Sequence, residues 1–285
     1  PPTCGLRGLP TVVNNVETFA AVPHIIAQGA EWYCSIGTNQ SKGTKIFSPC
    51  GDVLYPGVYE VPFGVTLREI VYKMAGGIKN GKKLKGILMG GPSGVMVGPD
   101  DLDRRLCGED LNPGAGALIV VDEDTCMVDV AAFFMQFIQN ESCGKCVACR
   151  EGTKQMLALL QKVVDGRGTV DDIDLLEELA LIVKDASLCM LGKTAANPVL
   201  TTLRYFREEY MAHVRDRRCP AHNCQAFKEY FISAELCKGC GRCVKVCPVG
   251  AISGAVKQPH VIDQAVCARC GACIATCKFA AIEER

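Results

Sequence analysis

The sequence has no apolar run long enough to cross a bilayer. Its longest such stretches, 117–121 and 128–138, fall short of the roughly 20 apolar residues that a spanning helix needs. Neither charge is in surplus, with 31 Lys plus Arg against 31 Asp plus Glu. That balance gives no electrostatic reason for nucleic acid or an anionic membrane surface as the main partner. The start, Pro1-Pro2-Thr3-Cys4, has neither the basic opening nor the apolar core of a secretory signal. Dinucleotide loops are missing too. Gly90-Gly91-Pro92-Ser93-Gly94 and Gly114-Ala115-Gly116 are not followed by helix-like sequence, so they read as glycine turns. No nucleophile–base pair stands out, and no C-x3-C-x2-C run of a radical enzyme is present.

Cysteine is what the chain has in excess, with 19 residues. A secreted disulfide scaffold is normally short, with its cysteines scattered among loops. Here eleven of the 19 lie in three C-x2-C-x2-C runs, two of which carry a fourth cysteine. Cysteines this close cannot all find well-formed disulfide partners, but they can converge on a metal centre. The reading is a reducing, cytoplasmic metalloprotein.

The texture divides the chain into five stretches, an α+β multidomain arrangement. Residues 1–42 hold a helix-like segment, 16–30, after a turn-rich opening. Residues 43–125 carry β-like runs at 45–47, 57–61, 86–89 and 117–121, with one helix-like segment at 66–74, and predict a small mixed sheet. Residues 126–214 turn helical, at 128–139, 156–164 and 171–184, with Asn197-Pro198 as a fourth helix start. Four short helices suggest a bundle. Residues 215–230 read as a linker, and 231–285 contain an internal repeat.

That repeat is the clearest signal. Cys237-x2-Cys240-x2-Cys243-x3-Cys247-Pro248 is followed by Cys267-x2-Cys270-x2-Cys273-x3-Cys277. Soft thiolates at this spacing are the bacterial two-cluster pattern, in which the fourth cysteine of each run serves the other cluster. One 4Fe–4S centre is therefore expected on Cys237, Cys240, Cys243 and Cys277, the other on Cys267, Cys270, Cys273 and Cys247. Paired zinc knuckles fit three evenly spaced cysteines poorly. Lys278 replaces the proline expected after the last cysteine, which predicts a shifted potential rather than a lost cluster.

A third triple, Glu141-Ser142-Cys143-Gly144-Lys145-Cys146-Val147-Ala148-Cys149-Arg150-Glu151-Gly152, lacks a nearby fourth cysteine, but Cys189 lies in Ser187-Leu188-Cys189. A helix is expected to start just after Cys149, with its N-terminal amides facing the sulfurs. These residues resemble the flavoprotein (NADH-oxidising, diaphorase) subunit of complex I and of multimeric NAD(P)-linked hydrogenases. In that family such a run and a distant Ser-Leu-Cys hold one 4Fe–4S cluster beside a flavin. The resemblance implies that Thr11-Val12-Val13-Asn14-Asn15-Val16-Glu17-Thr18 ends a flavin-binding domain. Asn14 and Asn15 would then lie near the flavin phosphate. It also implies a small ubiquitin-like β-grasp domain at 43–125 and a four-helix bundle holding the cluster at 126–214. The 231–285 tail, a bacterial-type two-cluster ferredoxin domain, points to the hydrogenase branch, including electron-bifurcating iron-only hydrogenases. FMN and NAD(P) belong, on this reading, only to the complete subunit.

Twelve of the 19 cysteines are thereby assigned. Among the rest, Cys126, Cys219 and Cys224, with His213, suit a tetrahedral zinc site. His222 competes for the nitrogen position, and reduced thiols in a linker are the alternative. Cys4, Cys34, Cys50 and Cys107 are isolated and read as buried or idle thiols. The expected function is electron transfer through three 4Fe–4S clusters within an NAD(P)H-linked oxidoreductase. The expected partners are a thioredoxin-like 2Fe–2S subunit, a hydrogenase or other catalytic subunit, and soluble ferredoxin, with no nucleic acid and no membrane insertion. The competing reading is a non-catalytic adapter that docks and wires other redox subunits.

Overall fold

The computed structural model describes residues 1–284. They form two compact units, Pro1–Asp122 and the described residues from Glu123 onward.

In the first unit, helix α1 (Val16–Gln28) is capped by Asn15, whose side chain accepts from Glu17 N. Helix α2 (Ala30–Cys34) follows directly. No residue of α1 is buried, but Glu17 ties it to the sheet by accepting from Ile46 N at 2.7 Å and pairing with Lys45. The strands are β1 (Thr44–Gly51), β2 (Tyr59–Pro62), β3 (Leu84–Met89), β4 (Val95–Val97) and β5 (Ala117–Asp122). They form a mixed sheet in the order β2-β1-β5-β3-β4, with β1 and β5 parallel. A helix does occupy the segment expected at 66–74, but over Glu69–Met74 it is a π-helix, in which Ala75 N bonds Ile70 O at 2.8 Å. The extra residue per turn still buries Leu67, Ile70 and Val71, which pack with Phe47, Ile87, Leu118 and Val120. The glycine-rich stretch at 90–94 is the β3–β4 turn, where Gly90 and Gly91 take φ of 88° and 92°, values that only glycine adopts freely.

The second unit opens with five helices: α3 (Met127–Glu141), α4 (Val147–Val164), α5 (Val170–Ala186), α6 (Met190–Ala195) and α7 (Asn197–Val214). Their apolar residues recur every three or four positions, as in Met156, Leu160 and Val163 of α4 and Ile173, Leu176, Ala180 and Val183 of α5. α4 and α5 approach closely at Gly152, where an added Cβ would stand 2.2 Å from Val183 Cγ2. Thr169 and Asp172 start α5 with a reciprocal capping box.

The remainder is a pseudo-repeat built from β6 (Tyr230–Ile232), α8 (Arg242–Val246), β7 (Ile252–Ser253), β8 (Val261–Ile262), α9 (Ala272–Thr276) and β9 (Ile282–Glu284). β6 pairs with β9 and β7 with β8, both antiparallel. The first and last strands are therefore partners. That closure lets each half reach the other's cysteines.

Candidate metal centres

Two kinds of cysteine constellation occur in the second unit. The first sits where the helices meet the tail. Cys126 is the N-cap of α3, and His213 is the penultimate residue of α7. The two helices pack together, and Met127 N donates to Glu209 Oε1 at 2.9 Å. The start of one helix thus meets the end of the other. The chain leaving α7 then turns back and inserts Cys219 and Cys224, both buried.

The ligand atoms of Cys126, His213, Cys219 and Cys224 all lie within 4.8 Å of one another. Cys126 Sγ to His213 Nε2, His213 Nε2 to Cys224 Sγ, and Cys224 Sγ to Cys126 Sγ each measure 3.4 Å. Ligand atoms around a tetrahedral zinc, with bonds of about 2.0–2.3 Å, stand roughly 3.3–3.8 Å apart. His213 Nδ1 lies 2.7 Å from the carbonyl oxygen of Glu209. A carbonyl can only accept, so Nδ1 carries the proton and Nε2 turns its lone pair to the thiols. Phe227 stacks edge-on against the imidazole at 5.0 Å. Hydrogen bonds from Cys126 and Cys224 push the Cys219 thiol far down, while bonding to Cys219 and Cys224 pushes Cys126 far up. A divalent cation would offset the mutual repulsion of three thiolates here. His222 is exposed, with φ of 52°, and lies outside the group.

The second kind is a ring of cysteines around a cavity. One cavity of the tail is lined by Cys237, Cys240, Cys243 and Cys277, the other by Cys247, Cys267, Cys270 and Cys273. Each takes three cysteines from one run and the fourth from the other. Helices α8 and α9 begin after Gly241 and Gly271, at φ of 71° and 73°. This left-handed start, costly for residues with a Cβ, tucks Cys243 and Cys273 inside. Backbone amides point at sulfur in both halves, Ala251 N at Cys247 Sγ (3.3 Å) and Ala281 N at Cys277 Sγ (3.4 Å). Amide donors of this kind stabilise a negatively charged iron–sulfur centre, so the residues fit one. Lys278 is exposed, and Cys277 keeps both its place in the ring and its amide donor.

A third ring belongs to the helices. Cys146 is the N-cap of α4 and Cys189 that of α6. The helix expected after Cys149 in fact begins at Val147, so Cys149 lies in its first turn. The reason is spacing: three residues are close to one helical turn, which aims Cys146 and Cys149 to the same side. The amides of Leu188 and Cys149 hold the Cys146 thiol below its ordinary range. Burial pushes Cys149 up, and the nearby Cys146, Cys189 and Cys143 add to that shift. Ser142 Oγ lies 3.3 Å from Cys149 Sγ, and Arg150 braces the loop by donating to Gly144 O at 2.6 Å. Gly192 has no room for a side chain, since a Cβ would meet Ser187 Oγ at 2.5 Å and Cys149 Cβ at 3.2 Å. Among the described residues, only the Cys126 group is tight enough for a single ion. The cysteine rings are wider, as a polynuclear centre requires.

Asn14 and Asn15 are exposed, and Asn15 uses its side-chain oxygen to cap α1. Cys4, Cys34 and Cys50 are exposed, while Cys107 is buried. Two cavity residues escaped the sequence reading, Tyr230 and His260. Each precedes the first cysteine of its run, Cys237 or Cys267, by seven positions, and that shared offset is the signal that would have found them.

The NADH-ubiquinone oxidoreductase-F iron–sulfur binding region matches residues 129–213, and 4Fe–4S binding domains match 230–253 and 264–280. Residues 129–213 therefore carry the iron–sulfur binding region described for NADH-ubiquinone oxidoreductase-F, followed by two 4Fe–4S binding segments. The chain is 47% identical over 265 residues to the NADP-reducing hydrogenase subunit HndC of Solidesulfovibrio fructosivorans, an alignment covering 91% of this chain and 54% of that protein. It is 41% identical to the F subunit of the NADH-quinone oxidoreductase of Mycobacterium tuberculosis (strain ATCC 25618 / H37Rv), over 77% of this chain and 50% of that one. Among solved structures it resembles a chain of an air-oxidised NAD+-reducing [NiFe]-hydrogenase. There the TM-score is 0.69 at 37% identity, covering 75% of this chain and 37% of the other. The chain thus spans about half the length of the curated relatives it matches. Iron–sulfur cluster binding is what its matched regions describe. No helix among the described residues is long and apolar enough to cross a membrane.

Proposed function

We propose that the chain relays single electrons through three 4Fe–4S centres, as part of a cytoplasmic NAD(P)H-linked oxidoreductase subunit. The observation that carries this reading is the crossed arrangement of the tail, where each four-cysteine cavity draws its fourth member from the other run. Such centres, when bound, accept and pass one electron without substrate chemistry. The protein's part is to hold and insulate them. Cys143, Cys146, Cys149 and Cys189 hold the helical centre, Cys237, Cys240, Cys243 and Cys277 the second, and Cys267, Cys270, Cys273 and Cys247 the third.

Zinc is assigned to Cys126, His213, Cys219 and Cys224, in a closed structural site. Its ligands come from α3, from α7 and from the 215–230 linker, so the metal would pin the tail to the helices. FMN and NAD(P) enter with the complete subunit, and Asn14 and Asn15, at the start of α1, are the residues assigned toward the flavin phosphate. The partners are a thioredoxin-like 2Fe–2S subunit, a hydrogenase or other catalytic subunit, and soluble ferredoxin. Residues 43–125 are read as a β-grasp domain, supported by the mixed sheet with its one packed helical turn. The four long helices α3, α4, α5 and α7 support a four-helix bundle over 126–214, with 1–42 as the end of a flavin-binding domain and 231–285 as the two-cluster ferredoxin domain.

The test is metal content after anaerobic reconstitution of the full chain. Three centres predict about twelve irons and one zinc per chain. Eight irons or fewer in a folded sample contradicts the three-centre reading.

A further inference from the structure

The two tail cavities are near copies, so the residues that differ between them carry information. Tyr230 stands seven positions before Cys237, and His260 seven before Cys267. Because the halves cross, each ring walls the other run's cavity. Tyr230 lines the one with Cys267, Cys270, Cys273 and Cys247, and His260 the one with Cys237, Cys240, Cys243 and Cys277. Both are 3% exposed. Their polar atoms have different fates. Burial and the nearby Glu284 carboxylate push the Tyr230 phenol up. His260 Nδ1 is buried with no hydrogen-bond partner among the described residues. Gly254 gives the imidazole its room, since a Cβ there would stand 2.8 Å from the ring. Buried polar groups in proteins are nearly always partnered, so this nitrogen calls for a partner inside the cavity it lines.

We propose that His260 donates a ring N–H to sulfur of the centre held by Cys237, Cys240, Cys243 and Cys277, making that centre the tail's first electron acceptor. The proposal rests on reading both cavities as 4Fe–4S sites. A hydrogen bond to cluster sulfur offsets the negative charge that one added electron brings, and so raises the reduction potential. The electron comes from a neighbouring iron–sulfur centre, and no bond forms or breaks. Lys238 and Arg242 line the same cavity, and their charges act in the same direction. Substitution at His260 separates the ring from them.

The experiment is a redox titration of the reconstituted full chain, followed by electron paramagnetic resonance, with iron measured on the same samples. His260→Tyr installs the residue that the twin cavity already accommodates. It is expected to shift one centre of three downward by about tenfold in its share of the electron, about 59 mV. Tyr230→His is expected to raise the other tail centre, and the double exchange to invert their order. A His260→Tyr protein with full iron and unchanged potentials overturns the proposal, as does an equal shift of all three centres. If His260→Tyr does not assemble, Tyr230→His decides alone, and no rise overturns it. Iron missing from the unsubstituted chain overturns the cluster reading instead.

Discussion

The junction site and the tail cavities use the same side chain for opposite designs. At the junction, atoms from α3, α7 and the following loop crowd to 3.4 Å separations, and all four residues are buried. In the tail, each ring is made mostly by one short loop and a five-residue helix. It stays open at Cys240 and Cys270, which are exposed. A single closed ion needs ligands fixed by distant, rigid elements. A centre that must exchange electrons needs a local nest with one side near the surface. Residue count, four in each, does not separate the two designs, whereas spacing and exposure do.

The strongest attempt to break this comparison is Cys277→Ser. Because the rings are crossed, it should remove about four irons and abolish the signal of the centre beside His260, leaving zinc in place. Loss of the other tail signal, read by paramagnetic resonance, contradicts the crossed assignment. Next in size is Cys219→Ser, which should release the zinc, keep all the iron and speed amide exchange across 215–230. Iron loss instead would make these thiols cluster ligands. A third test leaves the metals alone. Gly152→Ala drives a methyl group into Val183 and should cost about 1–3 kcal/mol, lowering the melting temperature of the helices while leaving tail potentials unchanged.

The smallest effect expected is an acid-sensitive start of α5. Burial works to raise Asp172, but Lys162 and the Thr169 hydroxyl and amide outweigh it and hold the carboxyl below its usual range. A group depressed on folding contributes stability above its unfolded pKa of about 3.9 and loses it as the pH falls through the folded value. Amide exchange in α5 should therefore rise below about pH 4. Thr169→Ala should cost about 1 kcal/mol and weaken that dependence. An exchange rate flat through this window sinks the idea.

Much of the fold was legible because local rules set it. Apolar spacing marked α3, α5 and the strands at 86–89 and 117–121, and Asn197-Pro198 marked the start of α7. Two features were not. β4 is only Val95–Val97, too short to show alternation, and it exists because β3 offers it an edge. The segment at 66–74 has helical spacing, which marks a helix but not that its Glu69–Met74 part is a π-helix with Ile70 and Val71 buried. The resemblance to the NADH-oxidising subunits of complex I and NAD(P)-linked hydrogenases was legible in the Cys143–Cys149 run and the tail repeat, and the matched family regions bear it out.

By itself, the sequence determined which residues could ligate iron and how the tail repeats. Thiolate chemistry and i, i+3 spacing are local properties that survive in the unfolded chain. Only the tertiary structure decided that His213 rather than His222 joins Cys126, Cys219 and Cys224. That choice depends on the packing of α3 against α7 across 87 residues of sequence. It alone also set Tyr230 and His260 on opposite cavities, because the pairing of β6 with β9 folds each half over the other's cysteines.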